Sequence, residues 1–132
     1  MPTVFLGSLH GDALAMAYAN FDIFVHTGTE ETFGQTIQEA HATGLPVVAP
    51  RAGGPIDLID HVTDGFLFDP LANDAMRGFI DRLISDRPLR SRMAEAGRRA
   101  VLSQSWEAVC SELLGHYDDV IEARRLLLAE NV

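Results

Sequence analysis

Through residue 68, apolar runs of three to five residues alternate with segments of helical pattern, and glycine or proline cuts the chain between them. Runs this short and this apolar read as strands buried on both faces, which is the signature of a parallel sheet with helices packed on each side. Thr3-Val4-Phe5-Leu6 is the first such run, closed by Gly7-Ser8 and followed by a helix over Leu9–Asn20. Asp22-Ile23-Phe24-Val25-His26 is the second. A loop then leads into a helix over Gly34–Thr43, which Gly44 ends and Pro46 prevents from continuing. Val47-Val48-Ala49 and Phe66-Leu67-Phe68 complete the strand set, with a short helix over Pro55–Asp60 between them. From Asn73 onward the pattern is helical throughout, with helices over Ala75–Ser85 and Pro88–Leu102 and a long one starting at Ser105. The expected fold class is therefore α/β, a Rossmann-like parallel sheet with flanking helices and a helical carboxy-terminal third.

The 132 residues, 47% hydrophobic and 22% charged, suffice for one domain with its own core, and no linker or repeat divides them. No apolar stretch is long enough to cross a bilayer and no leader pattern precedes the first strand, so the expected location is cytoplasmic. A net charge of −9 argues against a nucleic-acid face. Its distribution is more telling: lysine is absent, and Arg51 is the only lysine or arginine before Arg77. If the first half binds phosphates, backbone dipoles must do most of it, or basic groups must come from another segment. Cys110 falls among Trp106, Val109 and Leu113 at helical spacing, so a buried packing role is expected for it and burial for the stripe that continues through Leu114, Tyr117, Val120 and Ile121.

The chemistry concentrates at one loop-to-helix junction, Glu31-Thr32-Phe33-Gly34-Gln35-Thr36-Ile37-Gln38-Glu39. The first amides of the helix opened by Gly34 have no intrahelical acceptors and lie at the positive end of its dipole, which makes them an anion site. Turning about 100° per residue puts Ile37 and Ala40 on one side and Gln35, Glu39 and Ala42 on the other, so Glu39 is not a core residue. Carboxylates accept pairs of hydroxyls well, as on a sugar or a ribose. Each acid also has a plain structural explanation, Glu31 as a helix cap and Glu39 as a solvated helical glutamate. His26 stands at a strand's carboxyl end, where it either faces a ligand or serves the structure; Gly53-Gly54 reads equally as a site wall or a tight turn.

The segment from Glu31 to Ala49, with Gly53-Gly54-Pro55 after it, resembles the carboxy-terminal domain of retaining glycosyltransferases of family 4, whose signature is two glutamates separated by seven residues, then Gly-x-Pro-Val. The likeness extends from Val4-Phe5-Leu6-Gly7 through Asp22–Val25, Asp64–Leu67 and Ser105-Trp106 to Tyr117. It implies part of a GT-B fold, in which two Rossmann-like domains face each other across a cleft. By position it implies that Glu31 is the catalytic-site acid touching the transferred sugar, and that amides of Phe33, Gly34 and Gln35 touch that sugar. It gives the diphosphate to the amides of Thr36 and Ile37, the ribose to Glu39, and the base to a border at Gly7 and Ser8. The wording Val25-His26-Thr27-Gly28 is most similar to mannosyltransferases, which favours GDP-mannose as donor, with a UDP-sugar as the other possibility. Transfer with retention and without metal or cofactor is implied, consistent with the absence of an Asp-x-Asp pair and of any histidine spacing suited to a metal cluster.

Residues 1–132 then correspond to a nucleotide-sugar-binding domain that lacks the family's first strands, their basic diphosphate clamp and the amino-terminal domain that receives the acceptor, membrane-associated acceptors included. Two expectations follow: the isolated chain has negligible transferase activity, and it self-associates or needs a partner for its open sheet edge. The alternative expectation is a non-catalytic nucleotide-sugar-binding or interaction module.

Overall fold

The computed structural model describes residues 3–72 and 74–129; Asn73, where the helical part is expected to begin, lies outside the described residues. In chain order the elements are α1 (Gly11–Ala19), β1 (Phe24–Val25), α2 (Gln35–Thr43), β2 (Val47–Pro50), α3 (Pro55–Leu58), β3 (Gly65–Phe68), α4 (Ala75–Ser85), α5 (Arg87–Leu102) and α6 (Trp106–Ala129). They fall into two compact units, Met1–Val101 and Leu102–Val132.

In the first unit the strands pair in parallel in the order β1-β2-β3, with Phe24 beside Val47 and Val47 beside Gly65. Alternate residues of a strand point to opposite faces. Val47 and Ala49 accordingly join Tyr18, Ile37, Ala40 and Leu67 in one core, while Val48 joins Phe66, Phe68, Leu83, Leu89 and Met93 in another. α1 and α2 cover the first face and α4 and α5 the second, as the uninterrupted apolar runs require. Phe66 stacks on Phe79 of α4 at 4.4 Å between ring centres, and the Arg82 guanidinium lies over the Phe66 ring at 5.3 Å. Ile37 and Ala40 have no exposed surface. Burying a side chain the size of Ile37 contributes about 2–3 kcal/mol, which fixes the roll of α2 and so decides where Glu39 points.

Three expectations are corrected. Thr3–Leu6 is an exposed, unpaired segment rather than a buried strand, with Phe5 93% exposed. A strand exists only against a hydrogen-bonded neighbour, and no described strand pairs with it. Helix α6, taken by itself, buries none of its described side chains, so the stripe through Trp106 and Leu113 is exposed. Amphipathic spacing signals a need for a partner and cannot supply one to a single helix. Cys110, on that helix, is a free and exposed thiol instead of a buried one. Among the described residues no helix is long and apolar enough to cross a membrane.

Candidate functional site

β1 ends just before His26, whose amide donates to the Val48 carbonyl at 2.9 Å, and the chain leaves the sheet there into the loop that reaches Gly34. Gly34 caps α2 in the left-handed region, φ 57°, and its carbonyl accepts from the amides of Ile37 and Gln38 at 2.9 and 3.1 Å. The left-handed backbone is what favours glycine at position 34, while a β-carbon there would also have to displace the tip of the Leu58 side chain. At the other end Gly44 closes α2, also left-handed at φ 82°.

Glu31 turns its carboxylate back onto this junction. Its Oε1 accepts from the amides of Thr32 at 3.1 Å, Phe33 at 3.2 Å and Gly34 at 2.9 Å. These bonds, the Gly34 amide foremost, hold the carboxyl below the ordinary glutamate range, with a small contribution from the charge of His26 and some opposition from desolvation. An oxygen bearing negative charge thus already sits in the cradle of amides. The exposed amides of Gln35 and Thr36, next along the helix start, have no protein acceptor among the described residues.

The Gly-Gly turn after β2 supports this loop from behind. Gly54 donates its amide to the Glu31 carbonyl at 2.7 Å, and Gly53, at φ 59°, brings its Cα so close that a β-carbon would stand 2.7 Å from the same oxygen. Gly53-Gly54 is therefore a tight turn whose tightness also fixes the backbone of Glu31. Its partner lies more than twenty residues away in sequence, and the only local signal was the double glycine itself.

Glu39, partly exposed in the second turn of α2, lines a groove of about 350 Å³ between α1 and α2, with Leu14 and Tyr18 opposite and Ala42 and Thr43 further along. Tyr18 is the side chain that sequence reasoning missed at this site. Gly7 and Ser8 lie in the exposed segment before α1, outside that groove; Ser8 Oγ lies 3.0 Å from His10 Nε2. The junction residues and Glu39 are brought together by one helix, whereas Gly7 and Ser8 are not placed against them. Phe33 presents its ring to solvent, 82% exposed. His26 is half-buried beneath the loop, with its Nε2 buried and unpartnered, and a β-carbon on Gly28 would lie 3.0 Å from that nitrogen.

The family profile of glycosyl transferases group 1 matches residues 3–100. The chain belongs to this family. Among its curated relatives is a GDP-mannose-dependent alpha-mannosyltransferase of Mycolicibacterium smegmatis, 48% identical over 131 residues that make up 98% of this chain and 34% of the relative. Two solved structures carry the same α/β unit of a GT-B glycosyltransferase. A sucrose-phosphate synthase from Thermosynechococcus elongatus superposes with a TM-score of 0.77 at 27% identity, over 91% of this chain and 30% of that one. Anabaena HepE in complex with UDP superposes with 0.70 at 28% identity, over 83% and 30%. The chain spans about a third of the length of the curated mannosyltransferases it matches.

Proposed function

We propose that this chain is the donor-binding part of a glycosyltransferase that uses GDP-mannose and transfers mannose with retention when it works together with residues outside this chain. The observation that carries the reading is the cradle of amides at Thr32, Phe33 and Gly34 filled by the Glu31 carboxylate, ahead of a second acid in the second turn of the helix they open. The carboxylate oxygen stands in for the oxygens of a bound ligand. A donor laid along the helix start releases the Phe33 and Gly34 amides to the sugar together with that of Gln35, while Glu31 turns to the sugar hydroxyls. The amide of Thr36 then faces the diphosphate, joined by that of Ile37, which the Gly34 carbonyl shares at 2.9 Å, and Glu39 accepts from the ribose. Gly7 and Ser8 border the base in this arrangement. The similarity to GDP-mannose-dependent relatives supports the choice of donor, and a UDP-sugar is the competing one.

In this reading the leaving diphosphate is stabilised by dipoles fixed before the reaction, so no reorganisation is needed as charge develops. Neither metal nor cofactor takes part. The acceptor is met by residues outside this chain, and the purified chain is expected to show no measurable sugar transfer.

Calorimetric titration with GDP, GDP-mannose and UDP-glucose tests the donor site. Glu39→Ala is expected to weaken GDP and GDP-mannose alike by about tenfold or more, the scale of a hydrogen bond to a charged group. Glu31→Ala is expected to weaken GDP-mannose by a similar factor and leave GDP almost unchanged. Equal losses on both ligands from both substitutions contradict the assigned roles, and a well-folded chain that binds none of the three is a scaffold rather than a donor site.

A further inference from the structure

Tyr18 is the one buried residue of α1, and its surroundings fix where the phenol points. The ring packs edge-on against Phe21 at 6.1 Å and tilted against Phe24 at 5.6 Å, inside the core that also holds Ile37 and Ala40 of α2. A ring held on these sides sends its hydroxyl toward α2. It arrives 3.5 Å from the Thr36 carbonyl, a long contact to an oxygen that α2 already uses for its own ladder. The carboxylate that shares this groove belongs to Glu39.

The other walls of the groove offer Glu39 little. Gly11, Leu14, Ala15 and Ala42 carry no polar side chain, and Thr43 spends its hydroxyl on the Glu39 carbonyl at 2.7 Å. Burial and, after it, the charge of Glu39 raise the phenol above its ordinary value of 10.0, so the two groups sense each other without a ligand present. A phenylalanine would fill the same core. The hydroxyl is the part that packing does not explain.

We propose that Tyr18 is a positioning residue for Glu39: its hydroxyl, delivered through the α1–α2 groove, holds one carboxylate oxygen so that the remaining acceptor positions face a pair of vicinal ribose hydroxyls. The proposal rests on the reading of Glu39 as the ribose contact. A glutamate side chain loses rotational freedom when it binds, and one already held loses less. Tyr18 therefore acts on the ribose through Glu39, and its effect must vanish when either the ribose hydroxyl pair or the carboxylate is removed.

Calorimetry of the chain with GDP and with 2′,3′-dideoxy-GDP reads this directly. Tyr18→Phe is expected to weaken GDP about fivefold, the scale of ordering one flexible side chain, and to leave 2′,3′-dideoxy-GDP nearly unchanged. In a Glu39→Gln background the same change should cost nothing. A loss shared equally by the two nucleotides, or one that persists beside Glu39→Gln, assigns Tyr18 to packing alone and overturns the proposal. A second measurement needs no nucleotide. With the other tyrosine removed as Tyr117→Phe, absorbance at the phenolate band follows Tyr18 alone, and Glu39→Gln should shift its titration midpoint down; an unmoved midpoint overturns the contact. If the wild-type chain binds no GDP, the donor reading fails, and the phenol titration still separates that failure from the absence of a Tyr18–Glu39 contact.

Discussion

Gly54→Ala is expected to cost about 2 kcal/mol of stability and to lower affinity for GDP-mannose by more than about tenfold. The added β-carbon would stand 2.6 Å from the Thr32 carbonyl oxygen and 3.1 Å from that of Glu31. Both are backbone atoms, which cannot turn aside as a side-chain tip can. Either the loop moves away or the Gly-Gly turn does, and each movement strains the 2.7 Å bond from the Gly54 amide to the Glu31 carbonyl. The three amides that hold the Glu31 carboxylate sit on the displaced segment, so the binding site changes with the backbone. Gly78→Ala in α4 provides the contrast. A β-carbon there meets nothing within 4 Å, and removing a mid-helix glycine should raise stability by up to about 1 kcal/mol. Chemical denaturation and calorimetry on the two variants give the comparison; a Gly54→Ala chain with wild-type GDP-mannose affinity sinks the supporting role of the turn.

The parts of this protein that were legible in its sequence are those whose determinants are local. α4 spans Ala75–Ser85 as expected, and α2 runs up to the Gly44 stop with only its first residue shifted, because Gly34 turned out to be the cap. β2 and β3 each extend one residue beyond the expected run. What failed depended on partners. Thr3–Leu6 has strand composition and no ladder, and β1 shrinks from five expected residues to Phe24–Val25, the two that pair with Val47 and Val48 of β2. The exposure of α6 is the same lesson in a helix. Within the site, the spacing of Glu31, Gly34 and Glu39 located the junction, and capping of the amides by Glu31 was among its readings. The double role of Gly53-Gly54 and the groove that Tyr18 shares with Glu39 arise from segments distant in sequence, and no periodicity encodes such contacts.

Raising the pH from 4 to 7.5 is expected to remove about 2 kcal/mol of stability through Asp64, and Asp64→Asn should restore it. Asp64 is only 5% exposed, and burial, reinforced by the charge of Asp60, pushes its carboxyl up from 3.8 to about 6, although the Asp60 amide donates to its Oδ1 at 2.9 Å. The folded state therefore prefers the protonated acid more than the unfolded state does. That preference contributes in full below about 3.8 and is lost as the pH rises through about 6. His41 works in the opposite sense. It lies on the inner side of α2, 1% exposed, with Nε2 unpartnered and with so little room that a β-carbon on Gly97 would meet its Cδ2 at 2.7 Å. Burial lowers its proton affinity below the ordinary 6.5, so its contribution is present at higher pH and declines as the pH falls. Asparagine at position 64 keeps an acceptor for the Asp60 amide and removes the charge. Urea unfolding across this range should show Asp64→Asn gaining on wild type between pH 4 and 7, with its remaining slope running in the direction set by His41. Equal stabilities at pH 7.5 would exclude a buried, ionising Asp64. Because His41 occupies the inner side of α2 and Glu39 the groove side, GDP affinity at pH 7.5 should be the same in the variant and in wild type, which separates the stability of the fold from the chemistry of the site.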